Sequence, residues 1–132
     1  MNVGTTITRR IEWMDTDAAG IYHYSTLLRL AEAAESALHT DHGIADITFG
    51  ATPRAHIEFD FKREVRFNDE VVVELIVADL GRTSITYEFI FTHLGDLVAT
   101  GKIVGVFIDR ESRRPAPWPA AVRAVLAREA AA

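Results

Sequence analysis

A short acidic segment ending in glycine contains the residues best suited to chemistry. It reads Asp15-Thr16-Asp17-Ala18-Ala19-Gly20 and lies just before a segment of helical periodicity. Asp17 is a carboxylate near the start of that helix, where backbone N–H groups without helical partners can donate to a carbonyl oxygen. Gly20 has no side chain, so a substrate can come close to the backbone. A carboxylate beside an amide-rich helix start is the minimum for acyl transfer, because one attacks or acts as base and the other stabilises the oxyanion.

Three residues at the expected helix entrance extend this site. The predicted oxyanion donors are the N–H groups around His23, Tyr24 and Ser25. The His23 side chain could orient water or substrate, although a half-exposed histidine satisfied by solvent is the alternative interpretation. Asp15 and Asp17 also have a simpler interpretation, in which both acids make local turns to backbone N–H groups.

Composition excludes several other kinds of protein. The chain has 132 residues, of which 48% are hydrophobic and 25% charged, which predicts one globular domain spanning 1–132. It has no cysteine, which excludes disulfides, thiolate metal sites and cysteine nucleophiles. A net charge of -5 argues against a nucleic-acid partner. The chain has neither a run of about 18 apolar residues nor the order of a signal peptide, so we expect no membrane partner and a cytoplasmic location.

Other catalytic motifs are weak or missing. His39-Thr40-Asp41-His42 holds two histidines and an acid, but no second ligand group accompanies it, so we predict surface polarity and no metal site. The chain contains neither a G-x-S-x-G elbow nor a P-loop, which argues against serine hydrolases and P-loop enzymes. The residues after Asp17 also lack the histidine and acid spacing of a hydratase.

One long amphipathic helix is predicted from Tyr24 to His39. Its apolar residues recur at spacings of three and four. Ser25 or Thr26 is expected to cap the start, and Gly43 to end the helix. Several alanines make this helix thin, so we expect it to be covered on more than one side.

The rest of the chain predicts strands. Residues 57–67 alternate with one face buried, and further strands are predicted at the following positions: Thr5–Trp13, Val71–Leu80, Ile85–Phe91 and Leu97–Asp109. Tight turns join the last four strands and favour antiparallel neighbours, and a short helix after Pro119 closes the chain. One helix and one antiparallel sheet make an α+β fold. The two sheet edges favour an edge-to-edge homodimer.

With these elements, the chain resembles the hotdog-fold acyl-CoA thioesterases of the 4-hydroxybenzoyl-CoA thioesterase-like group. The resemblance rests on the segment 15–20, on the element order over nearly the whole chain, and on Gly81-Arg82-Thr83-Ser84 at the turn between the third and fourth strands. It implies a central helix wrapped by a five-stranded antiparallel sheet. It also implies homodimers, or homotetramers, with active sites at the dimer interface. The implied reaction is hydrolysis of an acyl-CoA substrate to carboxylic acid and CoA, without a cofactor.

The resemblance also implies roles for individual residues. Asp17 would act as nucleophile or general base, the amide near Tyr24 would polarise the carbonyl, and Asp15 would be a structural companion. The turn of Gly81, Arg82, Thr83 and Ser84 would contact the pantetheine and nucleotide parts of CoA, usually in the partner's site. Arg110 and its neighbouring arginines could contact a CoA phosphate. An ordinary hairpin turn and a solvated charge run are the alternative interpretations.

Two further questions stay open at this point. The run Ser25-Thr26-Leu27-Leu28 departs from 4-hydroxybenzoyl-specific relatives and predicts a more aliphatic pocket, so a short-chain or branched acyl group is as plausible as an aromatic one. The alternative class is a non-catalytic hotdog protein that binds acyl-CoA or acyl carrier thioesters, with Asp17 as a turn former.

Overall fold

A computed structural model of the protein describes residues 3–127. The elements, in chain order, are β1 (Gly4–Arg10), a short 3-10 turn (Trp13–Asp15), α1 (Thr26–Asp41), α2 (Ala45–Thr48), β2 (Arg54–Phe61), β3 (Glu70–Leu80), β4 (Ser84–His93), β5 (Asp96–Val106) and α3 (Ala120–Leu126). In the described part of the chain, no helix has the length and apolar character needed to cross a membrane. The α+β prediction is confirmed, with helix α2 as an element that the sequence pattern did not indicate.

The five strands form one antiparallel sheet in the order β1-β3-β4-β5-β2. Tight turns join β3 to β4 and β4 to β5, as predicted. The predicted pairing of β2 with β3 is wrong, because β2 pairs with β5 instead. The segment between them packs on the loop before α1, where the Val65 carbonyl accepts a hydrogen bond from the Tyr22 amide at 3.0 Å. Through this segment the chain crosses from the edge of the sheet that holds β2 towards the opposite edge.

Helix α1 lies on one face of the sheet, mainly against β1 and β3. Its inward residues are fully buried, which confirms the apolar stripe: Leu27, Leu30, Ala31, Ala34 and Leu38. The helix begins two residues later than predicted, and Gly43 follows its end with a φ of +71°. The predicted side-chain cap is wrong. Ser25 occupies the cap position without a side-chain hydrogen bond, and the Thr26 hydroxyl donates to the Asp15 carbonyl at 2.9 Å.

Strand β2 is shorter and less covered than predicted. It ends at Phe61, and the Ile57 and Phe61 side chains are 46% and 48% exposed, whereas a buried face was expected. The reason is that α1 lies over the other half of the sheet. Among the described residues, β2 has a strand neighbour on one side only. Strand β1 likewise stops at Arg10, since Trp13 belongs to the exposed 3-10 turn.

Candidate active site

The loop between β1 and α1 is a small hairpin with Asp17 near its tip. An antiparallel bridge joins Thr16 to Tyr22, and the Asp17 amide donates to the Ile21 carbonyl at 2.8 Å. Gly20 has a φ of +82°, a conformation that favours glycine and lets the chain turn back. Asp17 Oδ1 accepts a hydrogen bond from the Ala19 amide at 2.8 Å, the local turn that the simpler interpretation predicts. Asp17 is half-buried, and its Oδ2 accepts no hydrogen bond from residues 3–127.

Asp15 holds this loop on α1. Its side chain is 5% exposed, and both of its carboxylate oxygens lie 2.7 Å from Nη2 of Arg29 in the first turn of α1. Asp15 Oδ2 also accepts from the Glu12 amide at 2.8 Å. The Asp15 carbonyl accepts from the His23 amide at 2.7 Å and from the Thr26 hydroxyl. Asp15 is therefore fully engaged in structure, and Asp17 is the acid of the pair with a free oxygen.

The start of α1 has fewer free amides than the sequence predicted. His23 is excluded as an oxyanion donor through its backbone, because its N–H already donates to the Asp15 carbonyl. The N–H groups of Tyr24 and Ser25 have no acceptor among the described residues. Both side chains are exposed, as is that of His23. The role of the His23 side chain stays a prediction.

The residues on which the expected aliphatic pocket rests differ in exposure. Leu27 is fully buried in the core beneath α1, and Thr26 is buried with its hydroxyl on Asp15. Only Leu28 of the two leucines is partly accessible. Leu27 therefore packs in the core and does not line an open pocket, and the aliphatic acyl group stays a prediction.

The predicted CoA-binding turn between β3 and β4 is held by the C-terminal segment. The Gly81 carbonyl accepts from Arg123 Nη2 at 2.5 Å, and the Ser84 carbonyl from the Trp118 indole at 3.0 Å. The Thr83 carbonyl accepts from the Phe107 amide at 2.7 Å. The Arg82 side chain is exposed and bonds to no described residue, so its guanidinium is free to meet a phosphate.

Arg110 has a structural partner already. Its Nη2 atom lies within hydrogen-bond distance of three carbonyl oxygens at the end of α2, those of Asp46, Ile47 and Phe49, at 3.3, 3.1 and 2.7 Å. The guanidinium thus satisfies carbonyls that a helix end leaves unpaired. A role for Arg110 in CoA binding stays a prediction, and it would have to use its other N–H groups.

The two predicted halves of the site do not meet within one protomer. The Asp17 loop lies at the beginning of β3, where the Ile11 amide donates to the Asp69 carbonyl at 2.8 Å. The turn from Gly81 to Ser84 follows the other end of β3. The ten residue-to-residue steps along β3, at about 3.3 Å each, separate these ends by about 33 Å. A site that used both segments of one protomer would have to span that distance.

A polar cavity of about 310 Å³ opens beside the second half of α1, and sequence reasoning missed it. Glu35 of α1 is buried there and pairs through Oε2 with Nη2 of Arg54 at the start of β2. The β2 register shifts between Arg54 and His56, so Arg54 turns to the helix although strict alternation would put it with His56 on the outer face. An arginine placed just after Pro53 at a strand start was the available signal.

His39 belongs to the same cluster, and the prediction that it is part of a polar surface is wrong. It is buried, with Nδ1 2.5 Å from the Thr48 hydroxyl and Nε2 2.6 Å from the Tyr87 hydroxyl. Burial, with the nearby positive charge of Arg54, lowers the pKa of His39 to about 4. Burial raises the pKa of the Glu35 carboxyl, and Arg54 opposes that shift. No group of three or more metal-ligating side chains occurs in the described ranges.

A model of the thioesterase-like superfamily matches residues 11–126 of the chain. The chain belongs to the thioesterase-like superfamily. The 1,4-dihydroxy-2-naphthoyl-CoA hydrolase of Prochlorococcus marinus is 31% identical over 125 residues, which cover 86% of this chain and 81% of that protein. Its counterpart in Synechococcus elongatus is 28% identical over 117 residues, covering 84% and 86%.

Solved thioesterase structures share the fold. A thioesterase from Thermus thermophilus, complexed with coenzyme A and Zn, has a TM-score of 0.84 and 27% identity, covering 93% of this chain and 91% of that chain. The 1,4-dihydroxy-2-naphthoyl-CoA thioesterase from Synechocystis has a TM-score of 0.84 at 20% identity, covering 93% and 95%, and so supports the fold alone. The predictions of a hotdog-fold acyl-CoA thioesterase and of a thioester hydrolase are confirmed.

Proposed function

We propose that this thioesterase hydrolyses an aromatic acyl-CoA thioester to the free carboxylic acid and CoA. The support for an aromatic acyl group is that relatives matching most of the chain are 1,4-dihydroxy-2-naphthoyl-CoA hydrolases. CoA is proposed as the thiol carrier because those same relatives are CoA-thioester hydrolases and because the similar Thermus thermophilus thioesterase holds coenzyme A. The reaction as proposed uses groups of the chain and water, without a cofactor.

The thioester carbonyl oxygen is stabilised at the start of α1. The Tyr24 and Ser25 amides are unpaired within residues 3–127 and stand at the positive end of a 16-residue helix. They would donate to the oxygen as it gains negative charge. Removing one such donor typically costs about 2.7–4 kcal/mol of transition-state stabilisation.

Asp17 promotes the attack on the thioester carbon by one of two routes. As nucleophile, its free Oδ2 attacks the thioester carbon, the C–S bond breaks, and CoA leaves as a thiolate that takes up a proton. Water then cleaves the acyl–Asp17 anhydride and regenerates the carboxylate. As general base, Asp17 instead takes a proton from water, whose oxygen attacks the thioester carbon, and that proton can pass to the leaving sulfur.

The observation that carries this proposal is that two acids of one loop differ in their hydrogen bonding. Asp15 uses both carboxylate oxygens on Arg29 and the Glu12 amide, which fixes the loop on the helix. Asp17 makes one short turn and keeps Oδ2 without a described partner. An acid with a free oxygen and unpaired amides on the same short connection is what acyl transfer requires.

We further propose that two copies pair along β2 to complete each site. The support is the open β2 edge, with Ile57 and Phe61 half exposed beside it. In a two-fold antiparallel pairing, the start of one β2 faces the end of the other. The Phe61 ring at that end lies 6.2 Å from the ring of Tyr22 in the Asp17 loop. The CoA-binding turn of one copy would thereby approach Asp17 of the other.

The catalytic proposal is tested by thiol release from a panel of acyl-CoA esters. The Asp17→Asn variant should lose at least about a thousandfold in kcat while keeping its fold and its oligomeric state, since a neutral amide neither attacks nor accepts a proton. Asp79→Asn, which removes an exposed charge at the far end of β3, is the matched control. Wild-type turnover that survives in Asp17→Asn, or no turnover of any ester by the wild type, would contradict the proposal.

The composite site is tested by light scattering after chromatography. Ile57→Glu should give monomers with little activity, although Asp17 is untouched. Ile90→Glu places the same change on a similarly exposed isoleucine of the outer sheet face and should leave dimers and activity intact. An active Ile57→Glu monomer would overturn the composite site but not the role of Asp17.

A further inference from the structure

The cavity beside Glu35 contains a buried acceptor that lacks a donor. The Glu35 side chain is 5% exposed, and its Oε2 pairs with Arg54. Its Oε1 is buried and has no hydrogen-bond partner among the described residues. Buried polar atoms in folded proteins are rarely left without a partner, so this oxygen calls for a donor from a ligand or solvent.

Arg54 places a donor beside that acceptor. Its Nη2 binds Glu35 and its Nη1 donates to the Thr52 carbonyl at 2.6 Å, which leaves other N–H groups of the guanidinium available. A hydroxyl group suits this pair, because it donates to Glu35 Oε1 and accepts from Arg54. An anionic group would be repelled by Glu35, and an ammonium group would be repelled by Arg54.

The wall of the cavity suits a planar ring. Phe49 is 46% exposed and its ring centroid lies 5.9 Å from that of His39. His39 has both ring nitrogens engaged with Thr48 and Tyr87, so it does not compete for the ligand's hydroxyl. Its lowered pKa keeps the imidazole neutral near pH 7. A volume of about 310 Å³ is at the small end of ligand sites, which fits one or two rings.

We propose that this cavity binds a hydroxylated aromatic ring, with its hydroxyl between Glu35 and Arg54 and its face against Phe49. The proposal rests on the proposed function in one respect: the ring is taken to be the acyl part of the thioester. The position of the cavity agrees with this assignment. Arg54 pairs with Gly105 of β5, and the next residue of β5, Val106, pairs with Ser84 of the CoA-binding turn. In the β2-paired dimer, the cavity of one copy also lies toward the Asp17 loop of the other.

A binding measurement that uses no thioester tests this proposal independently of the catalytic one. The probes are 4-hydroxybenzamide and benzamide, which are neutral and differ by one hydroxyl, titrated by calorimetry into the wild-type protein. We expect the hydroxylated probe to bind about tenfold more tightly, as a hydrogen bond to a charged group warrants. Equal affinities, or no binding of either probe, would overturn the proposal and indicate a merely hydrated cavity.

Substitutions then locate the hydroxyl. In Glu35→Gln the amide oxygen stays with Arg54 and its NH₂ replaces the free acceptor by a donor, so the hydroxyl preference should fall below about twofold. Glu32→Gln makes the same change one turn earlier, at an exposed position of the cavity lining, and should keep the preference. Loss of the preference in Glu32→Gln, or its retention in Glu35→Gln, would assign the hydroxyl elsewhere and overturn the proposal.

A second variant guards against misfolding as an explanation. Phe49→Ala removes a half-exposed ring and should weaken both probes by the same factor while the tenfold preference persists. The kinetic counterpart is kcat/KM for 4-hydroxybenzoyl-CoA against benzoyl-CoA. Equal loss for both esters in Glu35→Gln would overturn the cavity proposal and leave the thioesterase mechanism standing. If the protein bound the hydroxylated probe but cleaved no aromatic ester, binding in the cavity would stand and the proposed hydrolysis of an aromatic acyl-CoA would be overturned.

Discussion

Acids in opposite states lie in the loop before helix α1 and in the second half of that helix. In the loop, buried Asp15 has every carboxylate oxygen paired, while half-exposed Asp17 keeps one oxygen free. In the second half of α1, the buried acid is the incomplete one, since Glu35 pairs through one oxygen and leaves the other unpartnered.

On the two proposals, this difference separates an acid that reacts from an acid that recognises a hydroxyl group. An acid that must attack or take a proton works best where substrate and water can reach it, so its loop is fixed by a different residue. An acid that recognises a ligand hydroxyl works best when it is buried. A buried carboxylate oxygen is left unpaired by a ligand without the hydroxyl, so the site discriminates strongly between ligands with and without that group.

The largest effect on stability is expected from Asp15→Ala. The change leaves Arg29 without its partner and the Glu12 amide without its acceptor, so the free energy of unfolding should fall by about 3 kcal/mol in urea titration. Asp17→Ala, two residues away, should lower it by less than about 1 kcal/mol. Similar losses in both variants would mean that the two acids share the structural role.

The second effect is a pH dependence carried by His39. Its pKa is about 4 in the folded protein against an ordinary 6.5, so the unfolded chain binds more protons between these values. Stability from this residue is therefore complete above pH 6.5 and is lost as the pH falls towards 4, by roughly 3 kcal/mol. Unfolding titrations should show His39→Gln losing less stability than wild type over this range. The exposed control His56→Gln should follow the wild type.

A smaller effect is expected at the predicted CoA-binding turn. Arg82→Ala should raise KM for CoA esters about fivefold, or about 1 kcal/mol, while leaving kcat unchanged, because an exposed guanidinium contributes a screened contact to phosphate. KM for a truncated pantetheine ester, which lacks the nucleotide, should not change. Equal increases for both esters would remove Arg82 from the nucleotide site.

The smallest effect on stability is expected from Glu35→Gln. The variant keeps an acceptor for Arg54 and removes a buried charge, so the free energy of unfolding should stay the same or rise by less than about 1 kcal/mol. Thermal unfolding beside Asp15→Asn gives the direct contrast, since the latter should be clearly destabilising. A large loss in Glu35→Gln would indicate that the pair with Arg54 is structural.

Much of the scaffold follows from the sequence alone. Periods of three to four and of two identify α1 and the strands β3 to β5, and the segment from Asp15 to Gly20 marks the loop between β1 and α1. These features are local, because hydrophobic spacing decides which face of an element is buried whatever lies against it. The roles of Asp17, Tyr24 and Arg82 also come from the sequence, and they stay predictions.

Tertiary structure alone decided how distant segments meet. Periodicity does not specify a strand's neighbour, so the pairing of β2 with β5 was not predictable from its alternation. The contacts of Glu35 with Arg54 and of His39 with Tyr87 join residues 19 and 48 positions apart. They depend on a bulge in β2 and on packing across the sheet. The sequence therefore determined which residues could do chemistry. Three-dimensional packing decided that Asp15 is fully paired, that Asp17 has a free oxygen and that Glu35 has a buried oxygen without a donor.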